Sequence, residues 1–460
     1  MSGPVSGDTR DDSALARAAG KAARKGDLAG AATLWLAAGA ERLEAGDRAG
    51  AREAYLNAEE AGRSDAVEVA VEAALERAML ALDAEEVSEA VSALGWVLRS
   101  GGLPEDDHAR RAFVLHNLAS ARAFLDAHKA AVDLFRRAVA EWRFCEEAPG
   151  LAESLLGLGE SLVLHGEAAQ GEIALDEAIA LLAKRERRDI GLEAAAYELL
   201  ARARYRTGGR VRAVDALRLA RDRWVETASR PDTARTTLGL SESLLELADS
   251  DEADAEERAE EGMSLLRSWI ALVKKEGDKT GVSYGWWRLA QALEGRQRRR
   301  EAVDALIEAA NLTTGPAHES LLARAAQLEV AAVSAAGDAA RPGGLDRAVR
   351  LFERVGDDEG SAWCRRQQLH AMVADGQFEG AAQVIRAIRA AENLPADEER
   401  AMMTHLAWVY ASAGRTADAA ACARKALEQV GDAPIAEVLQ RFLTALDAES
   451  DGQVSQEENA

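Results

Sequence analysis

Cysteine, proline, lysine and the aromatic residues are all scarce in this chain of 460 residues, and each shortage excludes something. Three cysteines (Cys145, Cys364 and Cys422) form an odd, scattered set. They do not make a disulfide framework, and they fit a reduced, cytoplasmic setting. Eight prolines leave long stretches in which helix can run unbroken. Aromatics make up 5% of the chain and β-branched residues are sparse, while alanine, the best helix former, dominates. An almost wholly helical, all-α protein is expected. Only 8 of the 56 basic residues are lysine. Arginine supplies the rest, a bias that goes with GC-rich bacterial genomes.

Positive charge is short as well. The net charge is −23, so phosphate backbones and anionic membranes repel the chain, and no nucleic-acid partner is expected. Long apolar runs are missing. The opening MSGPVSGDTRDD has neither an apolar core nor a basic cluster, so no signal peptide is visible. The uncharged stretch from Leu28 to Ala40 is too short and too alanine-rich to span a bilayer, so no membrane insertion is expected.

The residue patterns of catalysis are also lacking. The seven histidines form no HExxH and no Cys–His ligand spacing. GLGES (Gly157–Ser161) lacks the third glycine of a phosphate loop and has no strand before it, so close helix packing explains it better. There is no Gly-x-Ser-x-Gly elbow, and no carboxylate lies in an apolar run that would raise its pKa. No catalytic residue, metal or cofactor is expected.

What the sequence does have is a repeat. In GWWRLAQALEGRQRRREAVDALIEAANL (Gly285–Leu312), Trp286, Leu289, Ala290 and Leu293 are followed by a polar turn and then by Ala302, Leu306 and Ala309. The spacing recurs at Leu118, Ala119, Ala131, Phe135 and Ala138, around Gly159 and Gly171, around Ala201 and Ala213, and around Ala407 and Ala419. Small residues let two antiparallel helices approach closely, and larger ones three or four positions away fill the groove beside them. The first small residue of each second helix gives Ala51, Ala90, Ala131, Gly171, Ala213, Ala259, Ala302, Ala348, Ala381 and Ala419, at intervals near forty. Pro104, Pro149, Pro231, Pro316, Pro395 and Pro434 fall between helix pairs, and Pro342 falls in a turn within one, so none interrupts a helix. A solenoid of such pairs needs no large globular core, because each unit packs on its neighbours.

This pattern resembles the tetratricopeptide repeat (TPR) family over roughly residues 12–430, with Trp286-x2-Leu289-Ala290-x2-Leu293 the best match. The resemblance implies a right-handed α-solenoid of about ten TPR-like helical hairpins. There are departures: the units are longer than the family's, and Gln368–Leu369 lacks the small residue. The first stretch has two turns only twenty residues apart, as if single helices were stacked back to back. The solenoid is expected over 12–447, after a disordered leader (1–11) and before an acidic disordered tail (448–460). The acidic run from Glu246 to Gly262 reads as an extended inner turn or an exposed helix start.

Trp286 and Trp287 point about 100° apart on a helix. The resemblance puts Trp286 at the buried packing site. It puts Tyr284, Trp287 and Gln291 on the concave face lined by the first helices. The same positions elsewhere give Phe113, His116, Tyr205, Trp363, His370 and Trp408. Rigid aromatics are common anchors of protein interfaces, although a tryptophan on an alanine-rich helix also packs against neighbouring repeats. The partner-binding candidates are therefore Phe113, His116, Tyr205, Tyr284, Trp287, Trp363 and Trp408. The family's Lys/Arg/Asn clamp for a terminal carboxylate is not found among the polar residues projected onto that face, which are Glu160, Glu198, Arg202 and Arg366. Two basic runs, Lys184–Arg188 and Arg296–Arg300, read as solvated charge at helix ends. The function this implies is a non-enzymatic scaffold that binds one or more proteins through a peptide or helix. The rival is a ligand- or peptide-responsive regulator acting in trans on an enzyme or transcription factor.

Overall fold

The structure, a computed structural model, describes residues 14–145, 148–249, 254–340, 343–391, 396–428 and 434–457. The leader lies outside them, as do Pro342 and Pro395. Among the described residues there are twenty-two α-helices, one 3-10 turn and no strand. The chain divides into two compact units, residues 1–243 and 244–460.

The first unit contains α1 (Ala14–Arg24), α2 (Leu28–Glu44), α3 (Arg48–Gly62), α4 (Val67–Asp83), α5 (Val87–Ser100), α6 (His108–Phe124), α7 (His128–Trp142), α8 (Leu151–His165), α9 (Ala168–Leu182), α10 (Ile190–Arg206), α11 (Arg210–Glu226) and most of α12 (Arg230–Ala248). The second contains α13 (Ala255–Glu276), α14 (Lys279–Gly295), α15 (Arg299–Ala310), α16 (Pro316–Ala335), α17 (Asp346–Val355), α18 (Asp358–Ala374), α19 (Phe378–Ala391), α20 (Ala396–Ser412), α21 (Thr416–Glu428) and α22 (Pro434–Glu457).

Each even-numbered helix from α2 to α10 in the first unit, and from α14 to α20 in the second, is the first of a pair, and the odd helix after it is the second. Within each unit successive helices pack on one another, α2 on α3 and α6 on α7 for example, and α14 on α15 in the second unit. The first unit also brings first helices together, α2 with α4, α6 with α8 and α8 with α10, so they form one layer and the second helices the other. This is the all-α, TPR-like solenoid arrangement. All ten small-residue markers fall near the start of an odd-numbered helix, and the nine alanines among them are no more than 2% exposed. Gly171 is buried too: a Cβ there would lie 2.9 Å from the carbonyl oxygen of Gly159 on the facing helix. Only glycines let the two backbones cross so closely.

The tight turns repeat. Asp47 N–H donates to Arg42 O, Glu167 N–H to Leu162 O and Arg298 N–H to Leu293 O. Such a turn needs one left-handed residue. Gly46, Gly166, Gly208, Gly376 and Gly414 supply it, whereas Glu85, Asp126 and Gln297 adopt positive φ without being glycine. At the N-terminus, α2 and α3 form an ordinary hairpin and α1 packs on α2, which accounts for two turns twenty residues apart. Pro316 and Pro434 open helices and Pro231 sits in the first turn of α12, where a missing N–H costs nothing. α22 continues as helix to Glu457, into the stretch expected to be a disordered tail. Its sequence there has no proline to stop the backbone ladder, and Gly452 is tolerated.

The arginines of the two basic runs stay partly open to solvent and also pair with carboxylates. Arg185 donates to Glu153 at 3.0 Å and Arg188 to the buried Glu193 at 2.7 Å. Arg298 engages Glu260, and Arg300 reaches Asp338 at 2.6 Å. These belong to a wider ladder of pairs one repeat apart. Arg143–Glu177, Arg235–Glu198 and Arg415–Glu379 are separated by 34, 37 and 36 residues. A guanidinium fork suits such bridging better than a lysine ammonium, which gives the arginine bias a physical use.

Candidate protein-binding site

Six of the seven candidates are exposed on first helices: Phe113 on α6, Tyr205 on α10, Tyr284 and Trp287 on α14, Trp363 on α18 and Trp408 on α20. Trp286, beside Trp287, is half-buried. The seventh candidate, His116, is turned toward α8. Its Nδ1 lies 3.0 Å from Ser154 Oγ, which also accepts from Trp142 Nε1 at 3.1 Å, and its ring meets Phe135 edge-on at 5.6 Å. Burial holds the imidazole below the ordinary histidine value of 6.5, against the opposing pull of Glu153. His116 therefore takes part in the α6–α8 packing, because the helices approach too closely to leave its ring outside.

On α14, Tyr284 and Trp287 are one helical turn apart with ring centroids at 5.7 Å. Trp269 of α13 meets Tyr284 edge-on at 6.2 Å. Gly285 makes room for this, since a Cβ there would lie 2.6 Å from Ile270 Cγ1. Arg288 stands 6.0 Å from the Trp287 ring. Further along, the Trp408 ring lies 4.7 Å from that of Phe442 on α22, tilted by 33°, yet stays 51% exposed. Trp408 also lines a cleft of about 360 Å³ between α18 and α20, with Leu369, His370, Val373, His405 and Val409. Leu369, where other units carry a small residue, is part of its wall. Burial, helped by the charge of His370, lowers the pKa of His405.

In the first unit, α6 and α8 enclose a groove of about 430 Å³ walled by Phe124 and Leu164. Phe124 is 71% exposed. Both residues stand at the helix ends, beyond the positions that the family resemblance marks. The signal was nonetheless present: Phe124 follows Phe113 by eleven residues, three helical turns, and so shares its face. The polar residues of this layer are paired with each other. Glu160 lies 3.5 Å from Arg202, and Glu198 accepts from Arg235 at 2.8 Å.

Among the described residues, no three His, Cys, Asp or Glu side chains are grouped to hold a metal ion. Burial pushes the Cys364 thiol up to about 11 and raises that of Cys422, which makes both poor nucleophiles near neutral pH. No helix among the described residues is long and apolar enough to cross a membrane.

No protein-family model and no curated protein sequence matches the chain. Solved structures do. The C-terminal part of a TPR repeat-containing protein from Cytophaga hutchinsonii is 12% identical, with 62% of this chain and 98% of that one covered and a TM-score of 0.45. A tetratricopeptide repeat protein from Parabacteroides merdae is also 12% identical, covering 65% and 98% with a TM-score of 0.38. YrrB, described as a TPR protein with an unusual peptide-binding site, is 18% identical, covering 45% and 93% with a TM-score of 0.35. The likeness is one of fold.

Proposed function

We propose that this protein is a non-enzymatic interaction scaffold that holds a peptide or helix of a partner protein against its first helices. The observation that carries the reading is the exposure of Phe113, Tyr205, Tyr284, Trp287, Trp363 and Trp408 on first helices, in a chain only 5% aromatic. Exposed rings on a preformed surface anchor a partner at little cost in ordering entropy. The raised thiol pKa values of Cys364 and Cys422 fit a binding role better than a covalent one, and three free cysteines fit a cytoplasmic, reduced setting. We read residues 12–447 as the solenoid, set between a leader (1–11) and an acidic tail (448–460).

The test is affinity capture from cells of the native organism with wild type and with Trp287→Ala, Trp363→Ala and Trp408→Ala variants. A partner retained by the wild type and lost by variants of unchanged melting temperature supports the reading. Identical capture by all four proteins overturns it.

One feature favours the second reading, a regulator responding to a small ligand and acting in trans. The α18–α20 cleft, about 360 Å³, falls in the size range of small-molecule sites. A melting temperature raised by a metabolite, and lost with Trp408→Ala, would favour it.

A further inference from the structure

The groove between α6 and α8 has a composition unlike the rest of the first-helix layer. Its floor is the ring of Phe135, from α7, which is 2% exposed. Gly157 faces that ring; a Cβ at this position would strike it, so the floor exists because α8 carries no side chain there. The walls are Phe124 and Leu164, and Leu125 is exposed beside Phe124. A second cleft, of about 380 Å³, opens on the other side of Phe124 toward α5. The phenyl ring thus stands between two hollows, open to solvent on both flanks. Contiguous exposed apolar surface of this kind marks an interaction site more often than a lone exposed residue does.

The rim of these hollows is acidic. Asp126, whose side chain is 97% exposed, and Glu160 border the first. Glu85, Glu86 and Glu89 border the second, with Arg52 reaching Glu86 and Glu89. His128 shares the first groove, and its Nδ1 is enclosed without a hydrogen-bond partner among the described residues. The whole chain carries −23.

Resting on the scaffold reading above, we propose that this groove takes a basic partner segment, in which a large apolar side chain fits against Phe124 and Leu164 while an adjacent Lys or Arg meets Asp126 and Glu160. The occupant follows from charge. A partner segment with flanking cations is drawn to the acidic rim and gains apolar contact inside it. An acidic segment is repelled. A second copy of this chain would bring the same rim and the same net charge, which disfavours self-association at this face. The Glu160–Arg202 pair at 3.5 Å, half-exposed on both sides, is a weak bridge that an incoming guanidinium can replace.

An array of random short peptides, probed with the labelled full-length protein, tests this. Captured peptides should pair Phe, Trp or Leu with Lys or Arg, and capture should weaken as salt rises. Phe124→Ser should weaken the resynthesised peptides about thirtyfold, as expected of an interface anchor. Asp126→Asn combined with Glu160→Gln should weaken them while flattening the salt dependence. Unchanged melting curves for these variants would confirm that the fold is intact.

Capture of acidic peptides, or binding indifferent to Phe124→Ser, overturns the proposal. So does a dimer, seen by sedimentation, that Phe124→Ser alone dissolves. Peptides that bind through Trp287 or Trp408 but ignore Phe124 would sink this groove and leave the scaffold reading standing. An array that captures nothing would sink both.

Discussion

The rings of Tyr284 and Trp287 lie 5.7 Å apart, tilted by 42°, on the exposed side of α14 while their neighbour Trp286 is half-buried. Adjacent tryptophans are thereby given different surroundings by the 100° step of the helix. Trp286→Ala should cost about 3–5 kcal/mol in chemical denaturation, as a large ring is removed from packing. Trp287→Ala should cost little stability but weaken partner binding by about 2 kcal/mol or more. Equal destabilisation by both would remove Trp287 from the binding surface.

Arg77 of α4 donates to Glu59 of α3 through Nε at 3.1 Å and Nη2 at 2.6 Å, with Glu59 almost sealed from solvent. Arg63 also pairs with Glu59, at 2.6 Å, so without Arg77 the buried carboxylate keeps one cation but loses two hydrogen bonds. Arg77→Met should therefore destabilise by about 1–3 kcal/mol, and the double variant Glu59→Leu/Arg77→Met should recover most of that loss. Denaturation midpoints of wild type, single and double variants check it; a double variant no better than the single would refute it.

Gln297 holds φ +59 in the turn between α14 and α15, where several equivalent turns, at Gly46, Gly166 and Gly414 for example, carry glycine. A side chain in the left-handed region is strained. Gln297→Gly should stabilise by up to about 1 kcal/mol. Gly171→Ala should do the opposite, because its Cβ would press on the Gly159 carbonyl. Thermal melts of the two variants distinguish these signs.

Burial lowers the pKa of His116 from 6.5, and burial with His370 lowers that of His405. The fold therefore favours the neutral imidazoles. The stability they contribute is fully present above pH 6.5 and is lost as pH falls through the lowered folded values. The melting temperature should drop on acidification below about pH 6.5, and less steeply in His116→Gln than in wild type. Parallel curves would mean that other groups govern the acid response.

Much of the architecture was legible in the order of residues. Alanine content and the near-forty spacing of Ala51, Ala90, Ala131 and their successors set the helices, their phase and the buried face, since helical periodicity and close packing are local matters. The glycines at 166, 208 and 414 announced their turns, because left-handed backbone selects glycine. Trp287, Trp363 and Trp408 were picked out by the resemblance to the family, which marks those helix positions.

Tertiary structure decided the rest. His116 and Phe113 share a helix, yet one is held against Ser154 and the other faces solvent, because the proximity of α8 determines which side is covered. The arginines of the two basic runs are partly solvated, and only the folded chain chose the carboxylates on other helices that they meet. Phe124 became part of a groove only when α8 placed Gly157 and Leu164 opposite it. A one-dimensional pattern specifies which residues lie on one side of a helix, while what covers that side depends on chain folded back from dozens of residues away.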